Sequence, residues 1–160
     1  MTKYEILLFI HLVGVFLILA GAGVGTATGI AMTRTSVVRS IGLLAKTGRM
    51  AELVSTVPGA LISIVFGSWL VSYLGAYEFS QAWVSASYVL WFIAMGLGTG
   101  VMSPALKRIA ARADELEGQG VDTSDELLAM ARDPKLPLVG NILHLVTLGL
   151  LALMVFRPGA

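Results

Sequence analysis

Two histidines and a methionine are the side chains best suited to chemistry in this sequence. His11 and His144 each lie inside a long apolar run, and Met95 lies inside another. An ionisable group in such a setting is a site candidate, because burying it is costly unless it is paired or used. Imidazole is a standard axial ligand of haem iron, and a methionine thioether can complete the pair. At 100° per residue His11 shares a helix face with Gly14, Ile18, Ala22, Gly25 and Gly29. His144 shares one with Gly140, Asn141, Thr147 and Leu148, the most polar stripe of its run. Both should point into a helical bundle.

Depth separates the two histidines. With each run centred in a bilayer, His11 sits about 12 Å towards the outside of the midplane and His144 about 4 Å towards the cytoplasm, at 1.5 Å rise per residue. Axial ligands of one iron face each other across about 4 Å. Met95 therefore matches the depth of His144 better than His11 does. Three readings stay open: hydrogen-bonding groups of the fold, ligands for haem or a metal, and steps on a proton path.

A second stretch with a chemical look is GAGVGTATG, from Gly21 to Gly29. A dinucleotide-binding turn needs glycines at its first, third and sixth positions, between a strand and a helix. Counted from Gly21 or Gly23, the sixth position is Thr26 or Thr28, and an apolar helix precedes it. Spacing and context both reject a phosphate cradle. Gly21, Gly25 and Gly29 recur at every fourth residue, as a smooth ridge for a neighbouring helix would. Gly59, Ser63 and Gly67 repeat the pattern, and Gly96 and Gly100 repeat it in part.

The elements that must position these residues follow from where charge is missing. Of the 160 residues 56% are hydrophobic and only 13% charged, far from the balance of a soluble domain. No Asp, Glu, Lys or Arg occurs from Ile6 to Thr33, Leu53 to Tyr77, Phe79 to Leu106, or Leu136 to Phe156. Each interval exceeds the roughly 20 residues needed to cross a bilayer. The expectation is an all-α membrane protein, a single four-helix transmembrane bundle with spans at about 6–32, 53–76, 81–105 and 137–156. The first interval is too long for a signal peptide, whose apolar core runs to about 15 residues.

All the basic residues except Lys3 and Arg157 fall in the two segments that join spans one and two and spans three and four. The positive-inside rule then places both termini on the non-cytoplasmic side. Tyr4, Trp69, Tyr73, Tyr77, Phe79 and Trp83 gather towards that side as an interfacial belt. Cytoplasmic helical segments are expected at about 35–50 and 105–132. The first has an apolar face of Val37, Val38, Ile41, Leu44 and Ala45, suited to a membrane surface or to a solvated continuation of a span. In the second, Gly118 and Gly120 end one helix, and Thr123 with Glu126 has capping-box spacing for the next. Pro58 and Pro104 should bend spans two and three.

Other chemistry is excluded by what the spans lack. There is no Walker loop, no HExxH and no carboxylate within a charge-free interval, and no cysteine anywhere in the chain. A net charge of +1 without a basic module gives no nucleic-acid partner.

The segments ILLFIHLVG, PGALISIVFGSWL, MSPALKRI and LALMVFRPG together resemble a bacterial family of predicted four-span integral membrane proteins of unknown function. The first span of that family is similar to those of the copper-resistance protein D and membrane protoporphyrinogen oxidase families. There a first-span histidine is implicated in copper or haem handling, which implies such a role for His11. Where those families continue with Trp-Gly-Gly, this chain reads FLILAGAG. The expected function is that of a non-enzymatic accessory or interaction subunit of a larger assembly in the bacterial inner membrane, in contact with the lipid bilayer and with a membrane-protein partner or further copies of itself. The expected state is without cofactor. The alternative is a redox protein binding haem b or a metal through His144, His11 or Met95.

Overall fold

The computed structural model describes residues 2–75 and 77–159. Among the described residues there are seven α-helices: α1 (Lys3–Thr33), α2 (Val38–Ala51), α3 (Val57–Leu74), α4 (Ala82–Leu97), α5 (Ser103–Gly118), α6 (Asp125–Ala131) and α7 (Lys135–Phe156). Four helical rods among the described residues are long and apolar enough to cross a membrane: Lys3–Thr33, Val38–Leu74, Ala82–Gly118 and Asp125–Phe156. Phe9, Phe16, Val65, Phe92 and Leu145 stand exposed on their outer faces, as a hydrocarbon solvent requires.

Two of the rods are interrupted by five-residue π segments, Glu52–Thr56 between α2 and α3 and Gly98–Met102 between α4 and α5. The Val57 N–H reaches back to the Glu52 carbonyl, and the Ser103 N–H to the Gly98 carbonyl. Each segment ends two residues before a proline, Pro58 or Pro104. A proline ring crowds the carbonyl four residues back and brings no N–H, so widening the preceding turn relieves the clash. The expected bends thus take the form of π turns.

Within the membrane the rods pair as α1 with α3 and α4 with α7, and the two pairs touch more lightly. Trp91 Nε1 donates to the Ala60 carbonyl at 3.1 Å, and Tyr88 and Ser68 share a hydrogen bond through their hydroxyls. Close approach of α1 and α3 depends on Gly14, Gly21 and Gly59. A methyl group built on Gly59 would lie 2.6 Å from the Gly14 carbonyl oxygen, and one on Gly21 only 2.1 Å from Thr56 Oγ1. The ridge differs from the expected one. Gly25, Gly29, Gly96 and Gly100 have nothing within 4 Å of such a methyl, because no helix crosses over them. Gly14 to Gly21 is a step of seven, two turns along the seam that actually meets α3.

Beyond the spans, α2, α5 and α6 form a cap with a water-soluble type of core. Met32, Val38, Ile41, Ala45, Ile109, Ala113, Leu116, Leu127 and Ala131 are buried together there. Ile41 and Leu127 are each 0% exposed. The first connecting segment is thus a continuation of the second rod, as one of the two expectations had it, but its apolar face, apart from the exposed Val37, lies against α5 and α1 rather than in water or on a membrane surface. Lys46–Asp114 at 2.5 Å and Arg112–Glu126 at 2.7 Å tie the rim, and the Val38 N–H donates to the Asp122 carbonyl at 2.9 Å.

The start of α6 also departs from expectation. Ser124, not Thr123, is the cap, accepting from the Leu127 N–H at 3.3 Å, while Thr123 bridges to Val37 and Glu126 turns to Arg112. Replacing Ser124 with alanine should cost about 1 kcal/mol, the usual worth of such a cap. Equilibrium unfolding of the purified protein in detergent checks this, and an unchanged midpoint would count against the assigned cap.

At the opposite end the aromatic belt receives the two isolated cations. Lys3 Nζ lies 5.5 Å from the Trp69 ring centre and 5.1 Å from that of Tyr73, and the Arg157 guanidinium lies 5.2 Å from Tyr77. Ring faces attract such cations where an apolar body meets water.

Candidate functional site

His11 is set by α1 and α3 together. Its ring is 7% exposed, and Nδ1 donates to the Ser63 carbonyl at 2.9 Å, since a carbonyl can only accept. Gly67 makes the room: a methyl there would lie 3.0 Å from both Cε1 and Nδ1 of the imidazole. The Nδ1–H tautomer leaves Nε2 with the lone pair.

His144 is set by α7 and α1. Its Nε2 stands 3.0 Å from Thr26 Oγ1, and the Thr26 hydroxyl donates at 2.8 Å to the Ala22 carbonyl one turn back. The hydroxyl proton is thereby used, so the imidazole N–H is the donor in the first contact. Thr26 lies about four turns beyond His11 on α1, or about 22 Å at 1.5 Å rise per residue. The two histidines serve separate helix contacts and cannot hold one iron between them, so a bis-histidine haem does not fit this chain.

Met95 belongs to the neighbourhood of His144 in height. A methyl on Gly149 would lie 3.2 Å from Leu90 Cδ1, which fixes the antiparallel register of α4 against α7. Counting from that contact puts Met95 level with His144. Among the described residues no group of three His, Cys, Asp or Glu side chains is placed to share a metal ion.

The structure adds two residues that the charge-free intervals leave out. Glu52 immediately precedes the interval that begins at Leu53, and Arg49 is one turn earlier. Because the rod Val38–Leu74 is continuous, Glu52 is carried inside. Both its carboxylate oxygens are buried without a hydrogen-bond partner, and so is Arg49 Nε. A methyl built on Gly98 would lie 3.7 Å from Glu52 Oε1, so the carboxylate faces the second π segment. Ser103 stands beside it without completing a hydrogen bond of good geometry. Gly21 meets Thr56 and Gly48 meets Thr28, so Glu52 is level with the middle of that stretch of α1, about half a turn from Thr26 in height. The signal was present in the sequence as an Arg49–Glu52 pair at i, i+3 just ahead of a proline. A boundary drawn by charge alone conceals it.

The arrangement is thus four membrane-crossing rods with a polar level near the cap, and the match to a family model agrees with it. Residues 5–158 match the family described as predicted integral membrane protein (DUF2269). The chain belongs to this family. No curated protein and no solved structure matches the chain. The DUF2269 match runs through all four rods and the cap.

Proposed function

We propose that the protein is a non-enzymatic accessory subunit of a larger assembly in the bacterial inner membrane, with the cap in the cytoplasm and both termini outside. The observation that carries this reading is the α4/α7 pair. Among the described residues Val146 is the one buried residue of α7, and those of α4 are Trp83, Val84 and Ser87 near its start. Between the two helices runs an open, apolar groove of about 730 Å³ lined by Ala86, Leu90, Gly149, Ala152 and Phe156 among others. Small residues beside a groove of this kind let another helix approach closely. The basic cap supports the orientation by the positive-inside rule.

Purification from its native membrane in mild detergent should yield a stable larger complex. Substituting Ala152, an exposed residue of the groove lining, with leucine should dissolve that complex while the isolated chain still folds. A chain that migrates alone before and after the change would remove the proposal.

A second reading, a haem or metal bound through one histidine, is favoured by the tautomer of His11. An imidazole whose Nδ1–H is held by a carbonyl presents Nε2 as a ligand, the usual orientation in metal sites. The purified protein should then show a Soret band or stoichiometric metal that is lost in His11→Ala and kept in His144→Ala. Absence of both signals in protein from haem- and copper-replete cells ends this reading.

A further inference from the structure

The outward face of α7 carries a regular pattern. Leu138, Asn141, Leu145, Leu148, Ala152 and Val155 follow one another at alternating steps of three and four residues, and all of them are exposed. Such alternation is the seam of a left-handed helix pair, in which the side chains of one helix seat between those of the next. No helix of the described chain covers it.

One member of this stripe is out of place against lipid. Asn141 lies about 8 Å from the middle of the charge-free interval 136–156 at 1.5 Å rise per residue, well inside the hydrocarbon layer. Nearby polar groups are satisfied within the chain. The hydroxyls of Thr26, Thr99 and Thr147 donate to the carbonyls of Ala22, Met95 and Leu143 one turn back, and His144 meets Thr26. On α7 the side-chain hydrogen bonds are those of His144 and Thr147, so the Asn141 carboxamide has no partner among the described residues. An unpaired amide in hydrocarbon is costly, and this side chain is too short to reach the headgroups.

What covers the amide follows from its chemistry. A carboxamide carries both donors and an acceptor, so a second carboxamide is a complete partner for it. Copies of one chain insert with the same orientation, because their basic segments hold the same side. The two-fold axis relating a pair then runs along the membrane normal, which sets two α7 helices parallel and each residue of the stripe against its own counterpart at the same depth. Asn141 meets Asn141. The leucines give shape more than driving force, since lipid tails are as apolar as they are, and the small Ala152 lets the helices come close.

We propose that the exposed stripe of α7 is the interface of a parallel homodimer in the membrane, with the two Asn141 carboxamides hydrogen-bonded across it. The stripe lies beside the α4/α7 groove. Ala152 belongs to both and Asn141 to the stripe alone, so the dimer stands independently of a further subunit in the groove.

The chain has no cysteine, so single introduced cysteines report on neighbours without background. In protein reconstituted alone into lipid vesicles, Leu145→Cys and Leu148→Cys should give disulfide-linked dimers on mild oxidation. Phe16→Cys and Phe92→Cys, exposed on α1 and α4, should not. Energy transfer between donor- and acceptor-labelled Gln119→Cys copies, titrated against lipid, measures the affinity. Asn141→Leu should weaken it about tenfold, the worth of a hydrogen bond between side chains of two membrane helices. Asn141→Gln keeps the amide and should keep most of the affinity. Asn141 is exposed and unbonded, so neither change disturbs the fold. Energy transfer no greater than chance encounters produce, or an affinity unchanged by Asn141→Leu, would overturn the dimer, and so would cross-linking through Phe16→Cys or Phe92→Cys as readily as through the stripe. A chain that is monomeric in vesicles while Asn141→Leu disperses a larger complex from native membranes would assign the stripe to another subunit, which also overturns the dimer.

Discussion

Replacing Gly59 with alanine should destabilise the folded protein by at least about 2 kcal/mol, the upper part of the range for overpacking a filled contact. The added methyl would lie 2.6 Å from the Gly14 carbonyl oxygen, 2.8 Å from Leu17 Cβ and 2.9 Å from the Ile18 nitrogen. Two of those atoms are backbone, so no side chain can swing aside. Relief requires α1 and α3 to separate, which would also lengthen the bond from His11 to the Ser63 carbonyl. The control is Gly25→Ala. A methyl there meets nothing within 4 Å, and the change should stay within about 0.5 kcal/mol of the parent. Unfolding curves of both variants in one detergent make the comparison. Equal effects would mean that α1 packs through its four-residue glycine repeat after all.

The second large effect belongs to the cap. Leu127→Ala should cost about 2–5 kcal/mol, as truncation of a fully enclosed leucine does when its surroundings cannot collapse. Leu127 is 0% exposed and packs into the cluster that holds Ile41, Ala45, Ile109 and Ala113. Its burial removes apolar surface from water, so the usual hydrophobic gain applies. The same truncation at Leu145, exposed on the outer face of α7, should change little, because lipid tails replace the lost contacts. Hydrogen exchange should show the loss locally, with α6 amides exposed first and α3 amides still protected. Uniform loss of protection would mean that cap and spans fold as one unit.

How much of this was legible beforehand depends on which physical rule each feature obeys. The four rods follow from uninterrupted apolar length, which the bilayer enforces residue by residue. The cap's apolar stripe at Val38, Ile41 and Ala45 was equally plain. Its partner was not, since Ile109, Ala113 and Leu127 come from distant segments and only the fold brings them together. Glycine spacing proved a weaker guide. Gly21 and Gly59 are seam residues, whereas Gly25 and Gly29 share the same repeat without a facing helix, and the path of a crossing helix is not written in one strand of the contact. His11 and His144 were recognisable as inward polar groups, yet their partners are a carbonyl on α3 and a hydroxyl on α1. Glu52 is concealed in the sequence because a charge bounds each apolar interval, and this carboxylate is itself such a boundary.

The two rods interrupted by π turns have the geometry of levers. From Pro58 to Leu74 the outer arm of the second rod measures about 24 Å at 1.5 Å per residue. A tilt of about 10° at the π turn would therefore displace its far end by about 4 Å, while α2 stays clamped in the cap. The third rod has its own pivot at the same level, in front of Pro104. Whatever docks on the cap or occupies the space between the pivots would then set the spread of the outer ends, where Lys3 and Arg157 rest on the aromatic rings. Spin labels at Arg39 and Leu74, read as a distance distribution, would show whether the second rod moves as a single bar or as two.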